Sequence, residues 1–236
     1  MNISVAILAG GLATRMGSLT QNVPKALLDV AGKPFAVRQI ELLSQHNLRR
    51  IVFCLGHFGH RVQETLGDGR QWQTEISYSF DGTRALGTGG ALKKAVPLLT
   101  QHFIVLYGDS YLECDYEKIV EAFLAADKRG LMTVYRNDGR WDHSNVLFEN
   151  GSIKAYDKGH RTAQMHHIDY GMGVLNARVF DTYPPDEPLD LAVVYQDLLA
   201  QNQLSAFEVN QRFYEIGSPA GLKEIREHFM RKESIT

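Results

Sequence analysis

The sequence predicts an α/β fold: a Rossmann-like, doubly wound, mostly parallel but mixed sheet in one domain of 236 residues. Three observations point there. Nearly continuous apolar runs at residues 3–8, 51–55 and 103–107 read as strands buried on both faces of a parallel sheet. Segments with apolar residues at helical spacing alternate with them. After Leu131 the texture shifts to short strands with few helices, as in a mixed extension of the same sheet.

In chain order, the first run (3–8) is followed by a helix opening at Pro34, with Ala36, Ile40 and Leu43 on one face. Residues 51–55 and 76–80 are the next strands. A glycine-rich stretch then opens a helical pattern over 92–98, before the strand 103–107. Asp115 is a candidate N-cap for a helix carrying Ile119, Val120, Phe123 and Leu124. Short strands are expected at 131–135, 145–148, 152–156 and 172–175. Two helices follow, near 189–201 and 218–231. The last has Ser218 at its N-cap, Pro219 at its first position, and Leu222, Ile225 and Phe229 on one face. No period of 20 to 50 residues repeats and no Pro/Gly/Ser-rich linker divides the chain; Pro184 and Pro185 sit in a short loop. The reading is a single domain over 1–236, whose texture changes near residue 130 to give a part over 1–130 and a part over 131–236.

Composition narrows the function. The formal net charge is −2, against a dedicated nucleic-acid binder. Hydrophobic residues make up 44% and charged residues 22%, too apolar a mix for disorder. The apolar run at 3–9 is far shorter than the ~20 residues of a membrane span. Residues 1–8 lack the basic start of a signal peptide. Cys54 and Cys114 are the only cysteines, so no disulfide framework is indicated, and a reducing, cytoplasmic setting is expected.

The most informative stretch directly follows the first strand: Leu8-Ala9-Gly10-Gly11-Leu12-Ala13-Thr14-Arg15-Met16, then Pro24-Lys25. In an open α/β sheet, ligands bind at the carboxyl ends of strands. Gly10 and Gly11 let the backbone bend and present its N–H groups as an anion nest. Arg15 adds a forked cation and Lys25 a point charge. A Gly-Gly pair alone would be an ordinary turn; strand context with Thr-Arg and Pro-Lys makes it a phosphate site. The loop is neither a Walker A motif nor a dinucleotide fingerprint, since the Gly-Lys-Ser/Thr ending and the third glycine are missing. A second element, Leu86-Gly87-Thr88-Gly89-Gly90-Ala91, opens a helix; it permits close approach of a flat ligand, or Thr88 simply caps the helix. A third, Tyr107-Gly108-Asp109, puts a carboxylate at a strand end, where magnesium could combine it with phosphate oxygens. Tyr156-Asp157-Lys158 and Ile168-Asp169-Tyr170-Gly171 place a lysine and a glycine turn after strands. Asp169 could accept hydrogen bonds from sugar hydroxyls.

These residues resemble the sugar-1-phosphate nucleotidyltransferases. The resemblance rests on Leu8-Ala9-Gly10-Gly11-x-Ala13-Thr14-Arg15-Met16 with Pro24-Lys25 and extends to near Pro219. In length and texture the chain is similar to compact members, such as heptose- or mannose-1-phosphate guanylyltransferases and small uridylyltransferases. Three positions depart from the family pattern. Ala13 stands for a glycine, Glu215 for an aspartate, and Arg84-Ala85 where an acidic residue is common. The resemblance implies that Leu8, Ala9, Gly10, Gly11, Thr14, Arg15, Lys25, Gly87, Thr88, Gly89 and Gly108 bind the nucleotide. It implies that Arg15 and Lys25 act on the phosphates. Asp109 and Glu215 would hold Mg²⁺, and Lys158, Asp169, Tyr170 and Gly171 would bind the sugar phosphate.

The implied reaction is displacement of pyrophosphate from a nucleoside triphosphate by a sugar-1-phosphate, with a lean to GTP and a heptose or hexose, and UTP or CTP as alternatives. A nucleotide-binding regulator would not need Asp109, Glu215, Lys25 and Lys158 together. A nucleotide-sugar-consuming glycosyltransferase would want Asp-x-Asp, which Asp109-Ser110-Tyr111 is not. His57, His60, His166 and His167 lack the further ligands of a structural zinc site. Trp72 and Trp141 are assigned to core or rim. Oligomeric state is not legible.

Overall fold

The first apolar run forms β1 (Ser4–Leu8), and it is the centre of everything that follows. The structure, a computed structural model, describes residues 3–11, 23–141 and 143–234. A tight hairpin of β2 (Asp29–Val30) and β3 (Lys33–Pro34) turns through Ala31 and Gly32, both at positive φ, as a two-residue hairpin loop requires. Helix α1 (Phe35–Gln45) then leads to β4 (Arg50–Leu55), α2 (Gly59–Leu66) and β5 (Glu75–Phe80). Helix α3 (Gly87–Ala95), β6 (His102–Tyr107), the short β7 (Ser110–Tyr111) and α4 (Tyr116–Ala126) follow. The second half comprises β8 (Gly130–Arg136), β9 (Val146–Glu149), β10 (Ser152–Tyr156), β11 (His167–Asn176), α5 (Leu191–Ala200), β12 (Leu204–Val209), β13 (Tyr214–Glu215) and α6 (Pro219–Glu233).

The main sheet has nine strands, with β10-β9-β11-β6-β1-β4-β5 as its path, β8 attached to β11 and β12 to β8. Strands β6, β1, β4 and β5 are mutually parallel; the first three carry the unbroken apolar runs of strands covered on both faces, while β5, at the edge, alternates apolar and polar residues. Strand β11 reverses the direction, pairing antiparallel with both β6 and β8, and β12 runs parallel to β8. One apolar layer lies under α1 and α4, around Ile7, Ile40, Phe53 and Ile119. The other lies under α3 and α5, around Val52, Leu92, Phe103 and Tyr195. A third cluster joins the β2–β3 hairpin and α1 to α6, through Phe35, Tyr111 and Phe229.

The expected strands and helices form, with differences of extent. Helix α3 begins at Gly87, five residues before the apolar pattern, and Pro97 turns its end into a short 3-10 segment. Thr88 is therefore its second residue; the N-cap is Leu86. Strand β11 runs from His167 rather than 172, because it must span three neighbours. Asp115 and Ser218 cap α4 and α6, accepting the N–H groups of Lys118 and Gly221. Leu124 does not join the buried face of α4 with Ile119 and Phe123; it lies a further 100° round the helix and is exposed. Helix α2 and strand β12 are not among the elements expected from sequence. The first is only two turns long, and the second takes its place from pairing with β8.

Candidate active site

The chain leaves β1 toward β4 on one side and returns to β6 on the other, so the ends of β1 and β6 form the topological switch point. Leu8 pairs with Tyr107 there, and the two following turns meet. The N–H of Gly108 donates to Leu8 O at 2.9 Å. A Cβ on Gly108 would stand 2.6 Å from that oxygen and 2.9 Å from Ala9 Cβ, so only glycine fits the approach.

A cavity of about 300 Å³ opens at this point. Of the residues expected on the nucleotide, Leu8, Ala9, Gly10, Gly11, Lys25, Gly87, Thr88 and Gly108 line it, with Asp109. Thr14 and Arg15, with Ala13, lie outside the described residues. Gly89 is placed differently from expectation. Its N–H donates to Leu189 O at 2.8 Å, and its Cα faces the Leu189 side chain, away from the cavity. Gly87 and Gly90 are also pressed against the 187–189 backbone, Gly87 at φ +72°. The glycines here first serve close packing of α3 on a distant segment. Thr88 bridges the same way: its hydroxyl accepts the N–H of Leu191 at 2.8 Å and donates to Asp190.

A second cavity of about 370 Å³ lies beyond Tyr107 and Asp109, which line both. Its wall includes the expected Asp169, Tyr170, Gly171 and Glu215, and also Trp141 and Arg212. Asp109 thus stands on the partition. The Lys25 ammonium pairs with its Oδ2 at 2.7 Å. Glu215 is carried to the partition by pairing of β13 with β7, Glu215 opposite Ser110. Its carboxylate, however, is turned to the start of α6, accepting from Ser218 Oγ at 2.6 Å and from the N–H of Gly217.

Asp169 is buried. Its Oδ2 accepts the hydroxyls of Tyr107 and Tyr156, each at 3.3 Å, and its Oδ1 the N–H of Gly171 at 3.1 Å. Burial pushes its carboxyl above the usual range, against the pull of Lys158 and these donors. Its first role is to fix the two tyrosines and the Gly171 turn, leaving Oδ1 with capacity for another donor. Tyr170 is core, tilted against Tyr135 and edge-on to Phe213. Lys158 does not line the second cavity. It is half-exposed, 3.9 Å from Asp190 Oδ1, with its ammonium about the rings of Tyr107 and Tyr156.

Cys54 lines the first cavity, but burial pushes its thiol up to about 12, so it is no nucleophile at neutral pH. Cys114 is also buried and free. Among the described residues, no cluster of three or more His, Cys, Asp or Glu could hold a metal. His57 and His60 instead contact Phe58 and Phe80. No described helix is long and apolar enough to cross a membrane.

The sequence profile of one family, described as nucleotidyl transferase, matches residues 4–157. The chain belongs to the nucleotidyl transferase family. N-acetylmuramate alpha-1-phosphate uridylyltransferase of Neisseria meningitidis is 28% identical over 222 residues, covering 92% of this chain and 94% of that one. The catalytic subunit beta of mannose-1-phosphate guanylyltransferase from Drosophila melanogaster is 26% identical over 218 residues. The chain spans 59% of that relative's length. Among solved structures, HddC from Yersinia pseudotuberculosis is 28% identical and superposes with a TM-score of 0.81, covering 96% of this chain and 99% of that one. Its complex with GMP-PN superposes with a TM-score of 0.80.

In this nucleotidyl transferase Gln39, Arg212 and Asp81 were passed over in the sequence, and Trp141, assigned there to core or rim, stands at the rim. Gln39, buried on α1, donates from Nε2 to Tyr107 O at 3.3 Å and to Ser110 O at 2.9 Å, clamping the turn that carries Asp109. Only its polarity on an otherwise apolar helix face could have drawn notice. Trp141 and Arg212 form a stacked pair, the guanidinium 3.6 Å from the ring centroid, on the rim of the second cavity. Asp81 lines the first cavity from the end of β5.

Gln39→Leu is expected to cost about 1 kcal/mol by removing the donor shared by two part-buried carbonyls. It should also lower kcat more than it raises KM, because the Asp109 turn loosens. Thermal unfolding together with steady-state kinetics checks this.

Proposed function

We propose that this nucleotidyl transferase joins a nucleoside triphosphate, GTP by preference, to a heptose- or hexose-1-phosphate, releasing pyrophosphate. The observation that carries the reading is Asp109, paired with Lys25, on the wall shared by two adjoining cavities. One cavity is lined by the phosphate-binding turn, the other by polar and aromatic groups suited to a sugar. The guanylyltransferase relative and the GMP-PN complex of HddC support the lean to GTP; the uridylyltransferase relative keeps UTP as the alternative. On this reading residues 1–130 provide the nucleotide site and 131–236 most of the acceptor wall.

An oxygen of the sugar-1-phosphate attacks the α-phosphorus; the bond from that phosphorus to the bridging oxygen breaks, and pyrophosphate leaves with the electron pair. The acceptor phosphate is already ionised at neutral pH, so no enzyme nucleophile is needed. The chain's task is to bring two anions together and offset their repulsion. The Gly10-Gly11 backbone and Arg15 hold the triphosphate. Lys25, freed from Asp109, meets the α-phosphate, and Lys158 meets the acceptor phosphate. Asp169 keeps Tyr107 and the Gly171 turn in place along the sugar.

A carboxylate at the phosphate turn, paired with Lys25 through Oδ2 and accepting the Ser110 hydroxyl at Oδ1, fits magnesium, which takes one or two carboxylates with phosphate oxygens and water. Asp109 would be its ligand. Glu215 shares the wall but would have to leave Ser218 and Gly217 to join directly, and otherwise reaches it through water. The ion would supply Lewis-acid polarisation and charge compensation.

The test is pyrophosphate release from four triphosphates against a panel of sugar-1-phosphates. Product with GTP and a heptose or hexose phosphate is expected; no release with any pair overturns the reading. Lys158→Met should raise KM for the sugar phosphate about tenfold or more, with KM for the triphosphate little changed, since it removes one charge-assisted contact. A two-substrate kinetic grid separates the two constants.

A further inference from the structure

One cluster on the wall of the second cavity has no part in the transfer chemistry. Arg212 is the only arginine or lysine among the described residues of that wall. Its guanidinium lies over the Trp141 ring, 5.0 Å from the centroid of Tyr214, and one terminal N–H is given to Glu224 Oε2. The Nε–H is buried without an acceptor among the described residues. The other terminal nitrogen and Glu224 Oε1 take no hydrogen bond among the described residues either. A partly exposed ion pair that leaves so much hydrogen-bonding capacity unused contributes little to stability. It offers donors and an acceptor side by side.

Position decides what this pair can meet. Strands β8 and β12 run parallel, Val209 opposite Tyr135, so the loops that follow them leave at the same end. Trp141 is on the first loop and Arg212 on the second. The chain then returns to Asp109: Glu215 pairs opposite Ser110, and the N–H of Ile216 donates to Asp109 O at 2.9 Å. Arg212 precedes Glu215 by a stretch that spans at most about 11 Å. Glu224 follows Ser218 along α6 by about 9 Å at the helical rise. A pyranose held by its phosphate beside Asp109 reaches that far with the substituent on its C5.

We propose that Arg212 and Glu224, with Trp141 holding the guanidinium, read the exocyclic arm of the acceptor and select a vicinal diol, so that a heptose-1-phosphate is taken in preference to a hexose-1-phosphate. This rests on the reading that the second cavity takes the sugar phosphate. A hydroxyl both donates and accepts, whereas the guanidinium only donates and the ionised carboxylate only accepts. The two-carbon arm of a heptose carries adjacent hydroxyls, one for each partner. A hexose has a single hydroxyl there. An anionic arm is opposed, because Glu224 already offsets Arg212, and Asp169 and Glu215 are further carboxylates on the same wall.

The experiment is calorimetric titration of the full chain, in magnesium buffer, with four acceptors: a heptose-1-phosphate, its 7-deoxy analogue, the hexose-1-phosphate of the same ring configuration, and the corresponding hexuronate-1-phosphate. The natural sequence is compared with Arg212→Met and Trp141→Leu. The natural chain should bind the heptose phosphate about tenfold or more tighter than the hexose phosphate, the worth of one bond to a charged group. The 7-deoxy analogue keeps the carbon and loses one hydroxyl, so it should bind like the hexose, and the hexuronate more weakly still. Arg212→Met should bring the heptose-to-hexose ratio to near one, and Trp141→Leu should lower it in the same direction. A purely structural role would weaken both sugars alike and leave the ratio unmoved.

Equal affinity of the natural chain for heptose and hexose phosphates, a 7-deoxy analogue as tight as the heptose, tightest binding of the hexuronate, or an unaltered ratio in Arg212→Met would overturn the assignment. Absence of binding by every sugar phosphate would overturn it together with the acceptor role of the cavity. Failure to release pyrophosphate, with the binding preference intact, would count against the transfer reaction and leave this assignment standing.

Discussion

Replacing Asp109 with asparagine should lower kcat by two decades or more while the fold survives. Asparagine keeps the shape but removes the charge at the partition between the two cavities. Lys25 then has only an amide oxygen in place of a carboxylate at 2.7 Å, and a divalent ion loses its charged ligand. Two decades correspond to about 2.7 kcal/mol of transition-state stabilisation. Stability should change little. Asp109 is 33% exposed and Lys25 17%, and a solvent-accessible ion pair contributes only about 0–1 kcal/mol. Pyrophosphate release and thermal unfolding, measured on the same preparation, separate the two effects. A raised magnesium requirement would accompany the loss. An undiminished rate would remove Asp109 from the metal and phosphate chemistry.

Gly108→Ala should damage both stability and activity. The added methyl would sit 2.6 Å from Leu8 O and 2.9 Å from Ala9 Cβ, and the first of these is backbone at the centre of the sheet. It cannot rotate away; β1 and its phosphate-binding turn must shift. Overpacking of this kind costs about 1–3 kcal/mol, or a fall in Tm of about 2–12 °C for a domain of this size. The displaced turn should also lower kcat/KM tenfold or more, since catalysis here depends on positioning. Gly11→Ala is the control for stability: a Cβ there meets nothing within 4 Å. If both variants melt with the natural protein, the close approach at Gly108 is not what requires glycine.

Several features were legible because they are local. Buried parallel strands need unbroken apolar runs, and 3–8, 51–55 and 103–107 have them. Asp115 and Ser218 declared two helix starts by cap chemistry. Where the evidence for an element is non-local, the sequence was silent. Strand β12 is half-exposed and is held by β8, some seventy residues away. Leu124 continued an apolar pattern, yet no neighbour arrives to cover it.

The same division runs through the candidate site. Gly10, Gly11, Lys25, Gly108 and Asp109 follow strand ends in the sequence, and a doubly wound sheet sends such turns to one edge. Gly87 and Gly89 were visible as glycines, but their reason, the pressure of the 187–189 backbone, was not.

By itself, the sequence determined the parallel half of the sheet, the glycine turn after β1 and the family, because hydrophobic period and strand-end glycines are written within a few consecutive residues. Only the tertiary structure decided that Asp109 is shared between two cavities and paired with Lys25, that Glu215 is turned to α6, that Gln39 clamps the turn carrying Asp109, and that Asp81 lines the first cavity. Each of these depends on side chains brought together from distant strands and helices. Packing across a closed sheet sets such contacts, and no local rule of spacing encodes them.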